Sequence, residues 1–325
     1  MEQDQLDMER ALSSSQENLP AAVSDIGCER EINEDRYAGF KVDGGYVWIV
    51  CDGMGGAVGG ELAAQLALDT IKRALEGCVG DLGIEHLVEA IQEANRVIVL
   101  RRQNPLFSGM GTTIVAALVT DYGVYIAHAG DSRAYVVSGR RIEQLTTDHT
   151  YVQELVDKGM ITEEDAMNHP QSHVLTRCLG GEPRVRADKN VYGLNSSQDG
   201  ESETLVLCSD GLYSLVADHE IYEMISSMNP QSACSAMVEL ARSRGGFDNI
   251  TVAVIPLAGV MHGDPVIPAK GGVLGRKPAI SSATNSRSSK VQKRKPLSRA
   301  QVAVLVIMLA VFSVTITLIL FFALF

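Results

Sequence analysis

Acidic residues vanish after Asp264: the remaining stretch to Phe325 holds nine Lys/Arg and no Asp or Glu. The chain is also short of aromatics, at 5% with one Trp, and its six cysteines contain no C-x-x-C pair. Each shortage excludes something. Without paired cysteines there is no zinc ribbon and no dithiol redox motif. No H-E-x-x-H and no glycine-rich P-loop occurs, which removes zincin and P-loop nucleotide chemistry. The first twenty residues, MEQDQLDMERALSSSQENLP, have no basic start and no apolar run, so no secretory leader is read there. Cys28, Cys51, Cys78, Cys178, Cys208 and Cys234 then read as reduced thiols, mostly buried.

What is present divides into unlike parts. The whole chain of 325 residues carries 40 Asp+Glu against 28 Lys+Arg, a formal net charge of −12. Setting aside the nine basic residues of the tail leaves 40 acids against 19 bases, or −21, in the first 264 residues. An acidic body excludes a nucleic-acid partner, which needs a net basic footprint.

The last 25 residues, Gln301–Phe325, hold no charge. As a helix at about 1.5 Å per residue they reach roughly 37 Å, enough for a hydrocarbon core of about 30 Å. Arg287, Lys290, Lys293, Arg294, Lys295 and Arg299 precede them. Such a flank predicts a single-pass anchor in the inner (cell) membrane with the body in the cytoplasm. Residues 259–300, rich in Gly, Pro, Ser and Lys, read as a linker, and 1–18 as a flexible tail. Residues 19–258 remain as one folded unit.

Within that unit, apolar β-rich runs fall at Tyr46–Cys51, Thr112–Val119, Gly123–His128, Ala134–Val137, Thr204–Ser209 and Thr251–Ile255. Turn signals at 120–123 and 137–140 join neighbours as hairpins. Helical periodicity comes in pairs, Gly60–Glu76 with Glu85–Arg101 and Asp218–Met228 with Pro230–Arg244. Hairpins with paired helices predict an α+β fold, an antiparallel β-sandwich flanked by helix pairs (α/β/β/α), rather than strict βαβ alternation. To that the tail adds one C-terminal transmembrane helix.

Four aspartates end or begin apolar strands next to glycine or a turn: Asp52, Asp131, Asp210 and Asp248. One such residue is ordinarily a turn former. Four in one unit, if their strand ends converge, make an all-oxygen site suited to Mg²⁺ or Mn²⁺. Two ions in such a site are a common device for attacking a phosphoester. Arg30, just ahead of Glu34 and Asp35, could grip a phosphate dianion through its planar fork.

Here the sequence resembles a known family, the metal-dependent type 2C Ser/Thr protein phosphatases in their bacterial form. Six motifs occur in that family's order: S-D-x-G-x-x-R-x-x-N-E-D at Ser24–Asp35, D-G-M-G-G at Asp52–Gly56, G-T-T at Gly111–Thr113, G-D-S-R at Gly130–Arg133, S-D-G-L at Ser209–Leu212 and D-N-I-T at Asp248–Thr251. The resemblance implies that Asp52 bridges two Mn²⁺ or Mg²⁺ ions and that the Gly53 carbonyl binds one of them. Asp210 and Asp248 would hold the first ion, Glu34 would support the second through water, and Asp131 with Asp210 would bind a third. Arg30 would bind the substrate phosphate and Asp35 would play a supporting part. A water bridging the two ions would attack phosphoserine or phosphothreonine in proteins, the substrates of a Ser/Thr kinase. The stretch Leu145–Val191 looks like the mobile flap of bacterial members. It contains His149, His169 and His173, each either a structural histidine or a substrate contact, and a helix at Tyr151–Lys158 that reads as its support.

Two departures stand out. Eukaryotic relatives place a His close after D-G-M-G-G, where this chain has Ala57 and Val58. The family often continues S-D-G-L with Trp-Asp, where this chain has Tyr213-Ser214. The competing readings are a catalytically silent scaffold on the same fold, which would usually lack one of Asp52, Asp210 or Asp248, and a phosphohydrolase acting on nucleotides or small phosphates.

Overall fold

A computed structural model describes residues 19–55, 59–194 and 203–257. The expected tail, linker and membrane helix (1–18, 259–300 and 301–325) lie outside the described residues, as do Ala57 and Val58. Among the described residues, no helix is long and apolar enough to cross a membrane.

Two five-stranded antiparallel sheets face each other. The first runs β1(Ala21–Asp25), β12(Ile250–Pro256), β11(Thr204–Cys208), β8(Arg133–Ser138), β9(Arg141–Gln144). The second runs β10(Asp188–Tyr192), β7(Gly123–Ala129), β6(Ile114–Thr120), β3(Gly45–Cys51), β2(Arg36–Val42). A short ladder joins β4(Gly53–Met54) to β5(Gly111–Thr112).

Strand alternation sorts side chains into layers, because successive residues point to opposite faces. On β3, Tyr46, Trp48 and Val50 enter the core between the sheets, where they join Val115, Ala117 and Ile126 and meet Ala134, Val136, Leu205, Leu207, Ala253 and Ile255. Val47, Ile49 and Cys51 point the other way, onto α1(Gly59–Glu76) and α2(Ile84–Arg101), through Ala63, Ala67, Leu68, Ile71, Ile91 and Ile98. Gly39, paired across the ladder with Trp48, gives the indole room: a Cβ there would lie 2.5 Å from its ring.

The outer face of the first sheet, with Val23, Val206, Val252 and Val254, packs on α6(Asp218–Ser227) and α7(Pro230–Ser243) through Ile221, Ala233, Cys234, Met237 and Ala241. The layers are therefore α/β/β/α, as expected, and the four long helices fall within a residue or so of their expected bounds. Four strands outside the expected apolar runs, β1, β2, β9 and β10, flank the sheets, β9 following the turn expected at 137–140. Each closes the edge of a sheet: β1 pairs Ala21 with Val254, β2 pairs Tyr37 with Val50, and β10 pairs Asn190 with Ile126. The run expected at Thr112–Val119 is broken at Thr113, where β5 leaves for the small ladder and β6 begins.

The flap segment opens with α3(Tyr151–Asp157), continues through α4(Glu163–Met167) and returns along 174–181. Bridges between Thr150 and Leu175 and between Thr112 and Leu179 fix its base. Asn95 on α2 receives the Gly180 N–H at 2.7 Å and donates to the Glu182 and Pro183 carbonyls.

Candidate active site

Each candidate carboxylate leaves a strand at the same end of the sandwich. Asp52 lies between β3 and β4, and Asp131 in the β7–β8 turn. Asp210 follows β11 at the start of a short helix, α5(Asp210–Tyr213), and Asp248 stands two residues ahead of β12. The sheets bring all four within electrostatic reach of one another, together with Asp35.

The mutual influence is large. Burial, then the charges of Asp35, Asp210, Asp131 and Asp248, hold the Asp52 carboxyl well above the usual carboxylate range. Burial and Asp210 act likewise on Asp131 and raise Asp248. Glu34 is raised by burial, against opposition from the backbone N–H groups of Gly60 and Glu61 at the start of α1 and from Arg30. Burial, aided by Asp210 and Asp248, pushes Asp35 up to about 7.

The backbone of Asp52 is clamped by the G-T-T motif. Its N–H donates to Thr113 Oγ1 at 3.0 Å, and its carbonyl accepts from Thr113 N at 2.8 Å and Thr112 Oγ1 at 2.9 Å. Ser132, beside Asp131, shares a 2.7 Å hydroxyl contact with Thr113, which couples the two carboxylate turns. Gly53 follows where no side chain fits: a Cβ would lie 2.3 Å from the Gly60 carbonyl oxygen and 2.6 Å from that of Glu34. This close approach sets the Gly53 backbone against Glu34.

Asp35 is the buried keystone. Its Oδ2 accepts from Ser209 Oγ at 2.7 Å and Thr251 Oγ1 at 2.6 Å, tying the Asp210 and Asp248 turns together. Since Thr251 gives its proton to Asp35, Ser24 donates to Thr251 across 2.8 Å. Asn249 orders the segment carrying Arg30 and Glu34, accepting from Glu34 N at 2.8 Å and donating to the Ile26 and Ile32 carbonyls at 3.0 Å. Arg30, half-exposed, donates from Nη2 to Asp248 Oδ2 at 2.7 Å.

These residues fit divalent cations. Buried polar atoms without a hydrogen-bond partner among the described residues include Glu34 Oε1, Asp35 Oδ1 and Asp210 Oδ1, three carboxylate oxygens of this one cluster. So many crowded carboxylates cannot all ionise without compensating positive charge. Their all-oxygen chemistry selects Mg²⁺ or Mn²⁺ over zinc. Among the described residues no three His, Cys, Asp or Glu side chains form a closed ligand set by themselves.

The flap histidines separate. His149 is structural: its Nδ1 accepts from Gly130 N at 3.1 Å, so its Nε2–H faces Asp188 Oδ2 at 3.2 Å, and the ring stacks on His128. Burial lowers the pKa of both rings. His169 Nδ1 accepts from Gln171 N within a flap turn. His173 alone reaches the carboxylates, with Nδ1 3.6 Å from Asp210 Oδ2, and that neighbour raises its pKa. The sequence placed His173 in the flap but not against Asp210. Tyr213, in the position the family often fills with Trp, packs its ring under the Arg133 guanidinium at 3.6 Å, while Arg133 pairs with Asp148.

Comparison with known proteins gives the same reading. Residues 29–243 match the family described as Protein phosphatase 2C. The Serine/threonine phosphatase stp of Listeria monocytogenes is 39% identical over 239 residues, which cover 71% of this chain and 93% of that protein. PstP of Mycobacterium tuberculosis, a Serine/threonine protein phosphatase, is 32% identical over 284 residues, covering 85% of this chain and 52% of PstP. Among solved structures, Serine/threonine phosphatase Stp1 from Staphylococcus aureus superposes with a TM-score of 0.68 at 33% identity, covering 74% of this chain and 96% of that one. The catalytic domain of PstP in complex with two manganese ions superposes with a TM-score of 0.62 at 32% identity, over 72% of this chain and 96% of that one.

Proposed function

Because the chain belongs to the protein phosphatase 2C family and is a Ser/Thr protein phosphatase dependent on Mn²⁺ or Mg²⁺, we propose that the carboxylate cluster between the sheets is its catalytic centre. The observation that carries this is the convergence of Asp52, Asp131, Asp210 and Asp248 on one buried, mutually repelling group. The scaffold reading is disfavoured by the same set, since every expected carboxylate is present. The sequence has no P-loop, and among the described residues the site offers no base-stacking box for a nucleotide.

Asp52 would hold both of two ions and the Gly53 carbonyl one of them, with Asp210 and Asp248 on the first and Glu34 supporting the second through water. Asp131 with Asp210 would hold a third. When bound, the ions activate the attacking water and screen the phosphate charge. The remaining work belongs to the chain. Thr112 and Thr113 fix Asp52, Asp35 and Asn249 hold the turns that carry the other carboxylates, and Arg30 orients the phosphate. Arg30 meets its target pre-aligned, because Asp248 already fixes one end of its fork. The opposing enzyme would be a Ser/Thr kinase, as membership of the family implies.

Hydrolysis of a phosphothreonine peptide by the full chain tests the reading. EDTA is expected to bring the rate to background and added Mn²⁺ to restore it; activity that survives EDTA overturns it.

Residues 301–325, uncharged and preceded by a basic run, support a C-terminal anchor in the inner membrane with the catalytic unit in the cytoplasm. Truncation after Pro296 is expected to move the protein from the membrane fraction to the soluble fraction. Retention of the truncated chain by membranes overturns the anchor.

A further inference from the structure

The flap carries one side chain to the carboxylates that no motif includes. His173 lies between two fixed points. Ser172 N donates to the His169 carbonyl on one side, and the Val174 carbonyl accepts from Tyr151 N on the other. The Thr150–Leu175 bridge then fastens this turn to the base of the flap. From there Nδ1 stands 3.6 Å from Asp210 Oδ2, with Asp131 and Asp248 in electrostatic reach.

That separation is too long for a hydrogen bond. Neighbouring donors on an octahedral ion, with bonds of about 2.1 Å meeting at about 90°, stand about 3.0 Å apart, so a shift of about 0.6 Å brings the two atoms to the spacing of shared ligands. The imidazole is largely exposed, at 64%, and no hydrogen bond fixes its nitrogens elsewhere among the described residues, whereas Asp210 beneath it is mostly buried with Oδ1 unpartnered.

We infer that His173 is a nitrogen ligand, brought by the flap, for the ion held by Asp131 and Asp210, and that it biases this position toward Mn²⁺ over Mg²⁺. The inference rests on the assignment of Asp131 and Asp210 as ligands made above. The bias follows from donor chemistry. Mg²⁺ demands oxygen donors and sheds its waters reluctantly, whereas transition metals accept imidazole. A ligand on the flap also links the two elements, so that filling this position holds the flap against the site.

Pulsed electron paramagnetic resonance of the full chain loaded with Mn²⁺, paired with calorimetric titration by Mn²⁺ and by Mg²⁺, tests this. Wild type is expected to show the modulation of a directly bound ¹⁴N. His173→Gln should abolish that signal and weaken the weakest Mn²⁺ site by about tenfold, with the tighter sites unmoved and Mg²⁺ affinity unchanged. Absence of the ¹⁴N signal in wild type, its survival in His173→Gln, or equal losses for Mn²⁺ and Mg²⁺ overturns the proposal. Asp131→Asn separates the two levels of inference. If it removes the weak Mn²⁺ site while His173→Gln does not affect it, the histidine assignment alone is wrong. If Asp131→Asn leaves every Mn²⁺ site in place, the carboxylate assignment beneath it is wrong as well.

Discussion

Asp52→Asn is expected to lower kcat on a phosphothreonine peptide by roughly 10³-fold while making the metal-free protein more stable. The two effects share one cause. Asp52 is the carboxylate on which four others converge, and its ionised form is opposed by burial and by Asp35, Asp210, Asp131 and Asp248. Replacing it with a neutral group of the same shape removes that opposition. It also removes the charge that would draw two cations to the centre. The backbone hydrogen bonds from Thr112 and Thr113 do not involve the carboxylate, so the turn keeps its form.

The pH dependence has a definite sign. A carboxyl whose folded pKa lies above its unfolded value of about 3.9 binds more protons in the folded state, so stability falls as pH rises. Without metal, the penalty begins above about pH 4 and is complete for each group once its folded value is passed, which for Asp35 is about 7. In EDTA, the melting temperature of Asp52→Asn should therefore exceed that of wild type by more at pH 8 than at pH 5. Mn²⁺ should stabilise wild type strongly and the variant weakly. A variant less stable than wild type in EDTA at pH 8, or one that keeps its activity, would contradict this account of the centre.

Much of that centre was legible in the sequence because its carboxylates sit inside short motifs at the ends of apolar runs. The sandwich was legible through the two-residue period of β3 and the paired helical patterns. What closes the site was harder to read. Asp35 receives Ser209 and Thr251, partners 174 and 216 residues away. Asn249 holds a loop more than two hundred residues earlier. No local pattern announces such contacts, since they exist only once β1 and β12 have paired. The edge strands β1, β2 and β10 were missed for a related reason: the ladder with a neighbour, not their own hydropathy, makes them strands. His173 reads as any surface histidine until the flap returns over Asp210.

Arg30→Ala is the second large effect, and it should separate binding from chemistry. The guanidinium is half-exposed and makes one hydrogen bond among the described residues, Nη2 to Asp248 Oδ2 at 2.7 Å, so its loss costs the fold little. Its remaining N–H groups form the planar fork that suits two oxygens of a phosphate dianion. Charge-assisted hydrogen bonds of this kind contribute about 1.5–3 kcal/mol, so kcat/KM for a phosphothreonine peptide should fall roughly 10- to 150-fold. Most of the loss should appear in KM, because the phosphate is gripped before as well as during reaction. Arg30→Lys keeps the charge but not the fork, and it should recover only part of the loss. The melting temperature and Mn²⁺ affinity should stay near wild type, since Asp248 keeps its place through the Asn249 N–H at 2.7 Å. Full recovery by lysine would show that charge alone suffices at this position. A collapse of Mn²⁺ affinity in Arg30→Ala would instead make Arg30 a prop for Asp248 rather than a phosphate ligand.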